Sequence, residues 1–103
     1  VYLGKADRAA STILYRAMQS AREQFRRGSR DRDALLARVR AVLATEPRCE
    51  VDYVELRQEG DLLPLPPGDV SGGRLLVAAK FVDGQRPVRL LDNLSLAAED
   101  EAL

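Results

Sequence analysis

A change in hydrophobic spacing at Pro47 divides this 103-residue chain into two parts. Before Pro47, apolar residues recur every three or four positions, which is typical of helices that bury one side. After it, β-branched and aromatic residues replace alanine and arginine, and the apolar residues form short runs typical of strands. The length suits one domain, and no linker, repeat or low-complexity segment interrupts it. The spacing therefore predicts one domain in which two helices precede a sheet.

Two helices are predicted before Pro47. The first spans residues 5–27 and stops at Gly28, and the second runs from about 33 to 45. Ser29 or Asp31 offers an N-cap oxygen to the first turn of the second helix. Because the link between them is short, the helices should be antiparallel neighbours. Their apolar stripes are Ala10, Ile13, Leu14, Ala17, Met18, Ala21 and Phe25, and then Leu35, Leu36, Val39, Val42 and Leu43.

Three strands are predicted after Pro47, over residues 49–56, 74–82 and 88–96. A loop rich in proline and glycine (61–73) separates the first two, and Asp83-Gly84 marks a turn before the third. The second strand is a nearly continuous apolar run of the kind found in buried central strands. The expected fold class is α+β: two antiparallel helices packed on a three-stranded, largely antiparallel sheet.

The pattern also predicts positions for single residues in these strands. Pro87 is placed at the entry of the third strand, where its missing N–H costs least. We expect the sheet and core to include Leu75, Val77, Ala79, Val51 and Tyr53. Aspartate at Leu76 or Val77 should then unfold the domain by burying an unpaired charge.

The composition excludes several kinds of active site. The chain has no histidine, so it offers no imidazole base, no imidazole metal ligand and no Ser-His-Asp triad. Its one cysteine, Cys49, permits neither an intrachain disulfide nor a cysteine zinc site, and it is interpreted as a small half-buried residue. No run approaches the ~18 apolar residues of a membrane span. A site built from carboxylates, lysine or arginine remains open.

The arginines near the end of the first helix are the first candidates for binding. They are Arg22, Arg26, Arg27, Arg30 and Arg32. Arginine binds phosphate and carboxylate through a planar fork, so an anion site is one interpretation. The other is a solvated surface whose positive charge the helix macrodipole favours. Acidic residues interrupt the cluster and the net charge is zero, so the solvated surface is favoured and no nucleic-acid partner is expected.

Carboxylates and glycines supply the remaining candidates. Glu50 and Asp52 alternate along one strand and are interpreted as its solvated side. Asp92-Asn93 interrupts an apolar strand, which favours a bulge or a capped strand end over direct ligand contact. The glycine-rich segment 68–73 lacks the Gly-Lys-Ser/Thr ending of a phosphate loop and precedes a strand, so it is interpreted as a turn.

Three segments resemble the closing blocks of the pantothenate synthetase (pantoate–β-alanine ligase) family. They are residues 51–56, 73–79 and 89–94, in the order in which the family has them. Tyr2-Leu3 looks like the end of the family's Ser-Ser-Arg-Asn-x-Tyr-Leu segment, and Arg8 fits the helix start that follows. The resemblance runs from Tyr2 to Leu96 and so covers nearly the whole chain.

The resemblance implies a role for the chain and a reaction for the enzyme. Residues 1–103 would be the C-terminal lid domain, with an N-terminal nucleotide-binding domain as its own partner. That missing domain would hold the catalytic motifs, and Val1, which is no initiator methionine, would follow them directly. The family joins pantoate to β-alanine through a pantoyl adenylate, using ATP and Mg. The full-length enzyme is expected to be a cytoplasmic homodimer without nucleic-acid or membrane partners, and the segment alone should bind no cofactor.

The resemblance also locates a hinge. Tyr2, Leu3, Gly4 and Lys5 would lie beside it, and no catalytic residue is expected in this chain. The sequence departs from the family at the helix start (4–8), in a longer hairpin (82–88) and in a long loop (62–72). The alternative is a free-standing module that binds a protein or an anion through the sheet's open side or the arginine-rich helix end.

Overall fold

The computed structural model describes residues 5–83 and 86–97. Its elements follow the chain in the order α1 (Lys5–Arg26), α2 (Arg32–Leu43), β1 (Cys49–Arg57), β2 (Arg74–Asp83) and β3 (Arg86–Ser95). The two helices pack on a three-stranded antiparallel sheet with strand order β1-β2-β3. The predicted α+β fold class is therefore confirmed.

The helices are antiparallel, as predicted from their short link. At one end the Gln24 side chain reaches the Ala34 carbonyl at 3.5 Å, and at the other end Ile13 and Val42 line one depression. Asp31 is the N-cap of α2, where its carboxylate accepts a hydrogen bond from the Ala34 N–H at 2.9 Å. Neither described helix is long and apolar enough to cross a membrane.

The sheet register differs from prediction near the hairpin. Asp83 pairs with Arg86, so only two residues connect β2 and β3, and Gly84 of the predicted turn lies outside the described residues. β3 starts at Arg86 rather than Val88, because Pro87 is accommodated within an edge strand, opposite Val82. Both strands therefore extend further toward the turn than predicted, β2 by one residue and β3 by two.

The hydrophobic core lies between the helices and one side of the sheet. Val77 is buried there, as predicted, while its neighbour Leu76 points to the opposite side and is only half-buried. The expectation that aspartate at Leu76 buries an unpaired charge is therefore wrong. The largest fully buried side chains are Met18, Leu35, Val39, Leu43, Leu75, Val77 and Leu96.

The loop of residues 58–73 is fastened to the helix pair although it lacks regular structure. The Val70 N–H donates to the Arg30 carbonyl at 2.7 Å, and the Val70 side chain is buried. Gly73 has φ +132°, and a Cβ there would lie 2.9 Å from the Arg57 carbonyl oxygen. Glycine is therefore required where the loop passes close to the end of β1.

Candidate interdomain surface

Two of the arginines at the helix turn, Arg30 and Arg32, bind backbone carbonyls of the fold. The Arg30 guanidinium lies over the Phe25 ring, 4.0 Å from its centre, and donates to the carbonyls of Phe25 and Ser29. Arg32 donates to the Leu65 carbonyl at 2.8 Å. Both side chains thus fix the turn or the loop beside it. For these two arginines the contacts favour a structural role over an anion site, whereas Arg22 and Arg26 line one depression on the helix pair.

Arg22 contradicts the predicted solvated surface, because it is only 5% exposed. It lies one helical turn after the buried Met18, on the same side of α1. Arg26 and Arg27 are exposed, and Arg27 pairs with Glu23 at 3.2 Å. Charge alone could not identify the buried arginine, because helical spacing places position 22 at the border between the buried and the exposed sides of α1.

The carboxylates singled out from the sequence lie on opposite sides of the sheet. The Asp52 carboxylate accepts from the Arg89 Nε at 2.7 Å on the side away from the helices. Asp92 pairs in register with the buried Val77 and therefore points toward the helices. Within the described residues no group of three histidine, cysteine or acidic side chains is placed to hold a metal ion.

The interpretation of Asp92-Asn93 as a bulge or strand end is wrong. The β2–β3 register runs without a shift through Asp92 and Asn93, and β3 continues to Ser95. The sheet's irregularity falls instead in β1, between Val51 and Tyr53. Local sequence did not reveal this position because a bulge is set by how two strands pair.

Cys49 has the character of a structural residue. It is half-buried at the start of β1. Burial raises the pKa of its thiol, and the nearby charges of Glu46 and Glu50 raise it further. A thiol whose pKa is raised forms little thiolate near neutral pH and is a poor nucleophile. The interpretation of Cys49 as a small half-buried residue is confirmed.

The side of the sheet away from the helices has an apolar centre, and we call this side the open face. Tyr53, Ala78 and Leu91 lie side by side across the three strands, with Leu76 next to them on β2. Ala78 is fully buried by its neighbours, whereas Leu91 is 62% exposed. Leu91 therefore projects from a flat apolar surface. Sequence reasoning named the open side of the sheet, but it assigned Tyr53 to the sheet and core, expected Leu76 to be buried, and did not name Ala78 or Leu91.

Ion pairs surround this apolar centre. Besides the Asp52–Arg89 pair, Arg57 contacts Glu55 at 2.8 Å on β1. At the same end of the sheet Arg74 contacts Glu59 at 3.0 Å and donates to the Asn93 side-chain oxygen at 2.6 Å. Hydrogen bonds from Ser95 and from Arg74 lower the pKa of Glu59. Most charged side chains at the edge of the open face therefore have an oppositely charged partner within the domain.

The predicted hinge falls almost wholly outside the described residues. Tyr2, Leu3 and Gly4 are not described, and Lys5 is the first residue of α1. The hinge therefore stays a prediction.

Antiparallel sheets commonly keep one side in water, but in this small α+β domain the uncovered side has an apolar centre. In comparisons with known proteins, the model of the pantoate-beta-alanine ligase family matches residues 1–95. The chain belongs to that family. It is 41% identical over 98 residues to the pantothenate synthetase of Roseiflexus castenholzii, a match that covers 95% of this chain and 34% of that protein.

Two further matches show how much of a relative the chain represents. A bifunctional pantoate ligase/cytidylate kinase from Synechocystis is 34% identical over 95 residues, which are 92% of this chain and 18% of that protein. The crystal structure of pantothenate synthetase from Thermus thermophilus superposes with a TM-score of 0.73 at 32% identity, covering 92% of this chain and 32% of that one. The chain thus spans about a third of the pantothenate synthetases that it matches.

Proposed function

We propose that this chain is the C-terminal lid domain of a pantoate–β-alanine ligase whose N-terminal nucleotide-binding domain lies in the same polypeptide. The observation that carries the proposal is the match of nearly the whole chain to about a third of pantothenate synthetases. The open face supports it, since an exposed apolar surface suits a domain that works against a partner. The complete enzyme would be a cytoplasmic homodimer, with no nucleic-acid or membrane partner.

In the complete enzyme, the carboxylate of pantoate would attack the α-phosphorus of ATP and release pyrophosphate. The amine of β-alanine would then displace AMP from the acyl carbon. Mg-ATP would bind in the other domain; among the described residues no three acidic side chains cluster, and Arg30 and Arg32 bind backbone carbonyls. The lid domain would act by excluding water and holding substrates in place.

The proposal is tested by ATP–pyrophosphate exchange that depends on pantoate. The full-length polypeptide should catalyse the exchange, and this 103-residue chain should not. A reaction without pantoate is the control for contaminating ATPases. Exchange by the chain alone would contradict a site in the other domain, and no exchange by the full-length polypeptide would contradict the ligase.

A hinge at Tyr2, Leu3, Gly4 and Lys5 is part of the same proposal. Gly4→Pro in the full-length enzyme should lower turnover, because proline restricts the backbone that domain closure must rotate. Its thermal unfolding should match that of the wild type. Unchanged turnover would place the hinge elsewhere, and Gly4→Ala is the control for losing the glycine alone.

The second candidate, a free-standing module that binds a protein or an anion, has less support. Its anion-binding form would use the arginine-rich helix end, where Arg30 and Arg32 already bind backbone carbonyls. Its protein-binding form would use the open face, which the lid proposal assigns to the enzyme's own domain.

A further inference from the structure

We propose that a depression on the helix pair is a binding site for an organic phosphate monoester, in which Arg22 and Arg26 bind the phosphate group. The depression has a volume of about 550 Å³ and lies between α1 and the C-terminal end of α2. It is distinct from the helix turn, where Arg30 and Arg32 bind backbone carbonyls. The inference does not depend on the proposed ligase activity, because it rests on the contacts of this chain alone.

The cationic part of the depression is formed by α1. Arg22 and Arg26 both line it and are four residues apart, so they are neighbours on the helix surface. Arg22 is 5% exposed, and a charge shielded from water attracts an anion more strongly than an exposed one. Arg26 is exposed and therefore accessible to a ligand. Both arginines also have other contacts in the chain, but a guanidinium carries five N–H donors, enough to bind a phosphate as well.

The one acidic side chain among the described lining residues is compensated. The Glu23 carboxylate accepts a hydrogen bond from the Arg27 Nε at 3.2 Å, and Arg27 is not part of the lining. Arg22 and Arg26 therefore give this part of the depression an excess of positive charge. A phosphate monoester carries about −1.5 to −2 charges at neutral pH and matches two guanidiniums, whereas a carboxylate would match one.

The opposite end of the depression is apolar. Ile13 on α1 and Val42 on α2 line it there, and both are half-buried. Ile13 precedes Arg22 by about 13 Å along the helix axis, so a ligand that reaches both ends must extend away from its phosphate. Arg16 lies between the two ends, where a guanidinium can stack on a planar ring. These features favour a ligand with an apolar or aromatic body.

The hydroxyl groups of the lining do not supply the phosphate contacts. The Ser20 Oγ donates to the Ala17 carbonyl at 2.7 Å, and the Thr45 Oγ1 donates to the Val42 carbonyl at 2.7 Å. Because a hydroxyl has one hydrogen, both groups are used within their own helix. Phosphate binding therefore depends on the arginines, and the loss of one of them should be measurable.

Titration of this 103-residue chain with phenyl phosphate, followed by ¹H–¹⁵N NMR, tests the proposal. The chain alone is suitable because its core is closed by its own helices. Saturable shifts confined to residues 13–26 and 42–45, with a Kd on the order of 1 mM, would support the site. No saturable shift up to about 20 mM, or shifts centred elsewhere, would overturn it.

Two variants separate the arginine contact from general charge attraction. Arg26→Gln should weaken binding at least about fivefold, because it removes one of two charge-assisted contacts. Arg40→Gln removes the same charge from an exposed position outside the lining and should change the Kd by less than about twofold. Equal weakening by the two variants would overturn the site.

Two other anions test the class of ligand. Inorganic phosphate lacks the body that would contact Ile13 and Val42, so it should bind at least about threefold more weakly than phenyl phosphate. Benzoate has the ring but a single charge, and it should also bind at least about threefold more weakly. If either anion binds as tightly as phenyl phosphate, the site does not select an organic phosphate monoester and the proposal fails.

Discussion

The two sides of the sheet are formed by the same strands, yet the helices cover only one of them. On the covered side Val77 lies in a core closed by both helices, and one position earlier Leu76 lies half-buried on the open face. Loss of contact with water is a main source of stability, so the covered side should carry most of the folding free energy. The open face keeps apolar surface that folding alone does not require. The difference separates the side that holds the domain together from the side that remains available for contact.

Aspartate placed on each side in turn should show the largest contrast. Val77→Asp buries an unpaired charge and should cost more than about 4 kcal/mol, enough to unfold much of the population. Leu76→Asp leaves its carboxylate in reach of water and should cost less than about 2 kcal/mol. Urea denaturation followed by circular dichroism measures both. Equal losses would mean that the two sides do not differ as described.

Two glycines with positive φ, Gly73 and Gly28, should give a smaller effect. Gly73→Ala combines a positive φ with a Cβ placed 2.9 Å from the Arg57 carbonyl oxygen and should cost about 3 kcal/mol. Gly28 also has a positive φ but nothing within 4 Å, so Gly28→Ala should cost about 1–2 kcal/mol. Unfolding midpoints measure the difference. A costlier Gly28→Ala would contradict the close approach at Gly73.

The N-cap of α2 tests how much one hydrogen bond stabilises a helix in the layer that covers the sheet. Asp31→Ala removes the acceptor for the Ala34 N–H and should cost about 1 kcal/mol. Asp33→Ala changes a first-turn charge without removing a cap, and it should cost about half as much. Thermal unfolding measures both variants. If Asp31→Ala costs no more than Asp33→Ala, the capping bond does not stabilise the helix.

The charged edge of the open face should give the smallest effect. Because Ser95 and Arg74 lower the pKa of Glu59 in the folded state, its contribution is present above the ordinary glutamate pKa of 4.5 and is lost as the pH falls below it. Glu59→Gln should therefore lower the free energy of unfolding by less than about 1 kcal/mol at pH 7. That free energy should also change less between pH 5 and pH 3 in the variant than in the wild type. Urea titrations at several pH values measure this. If the free energy of unfolding changes with pH equally in the variant and the wild type, protonation of Glu59 does not affect stability.

Much of the fold followed from local sequence. Spacing of three and four placed both helices, and Asp83-Gly84 placed the hairpin, because these signals act within a few residues. The N-cap was narrowed to two residues, and the structure selects Asp31. Strand ends and the β1 bulge were missed, since both depend on pairing between strands that are distant in sequence.

The surface was harder to predict than the fold. Arg22 was placed in water, because its charge is visible in the sequence while its burial is not. Asp92 was taken for a strand interruption, although the sheet register simply turns it toward the helices. The continuous apolar run of β2 was the one signal for the open face, and it did not say which side would remain uncovered.

The most direct test of the account changes the open face at its most exposed point and measures the complete enzyme. Leu91→Asp and Leu63→Asp introduce the same charge at similarly exposed positions, one on the open face and one on the loop. If this chain is the lid of the proposed ligase and its open face works against a partner domain, Leu91→Asp should lower kcat/KM for pantoate by at least about tenfold, equivalent to 1.4 kcal/mol, while its unfolding midpoint stays near that of Leu63→Asp. Equal kcat/KM values for the two variants would contradict it.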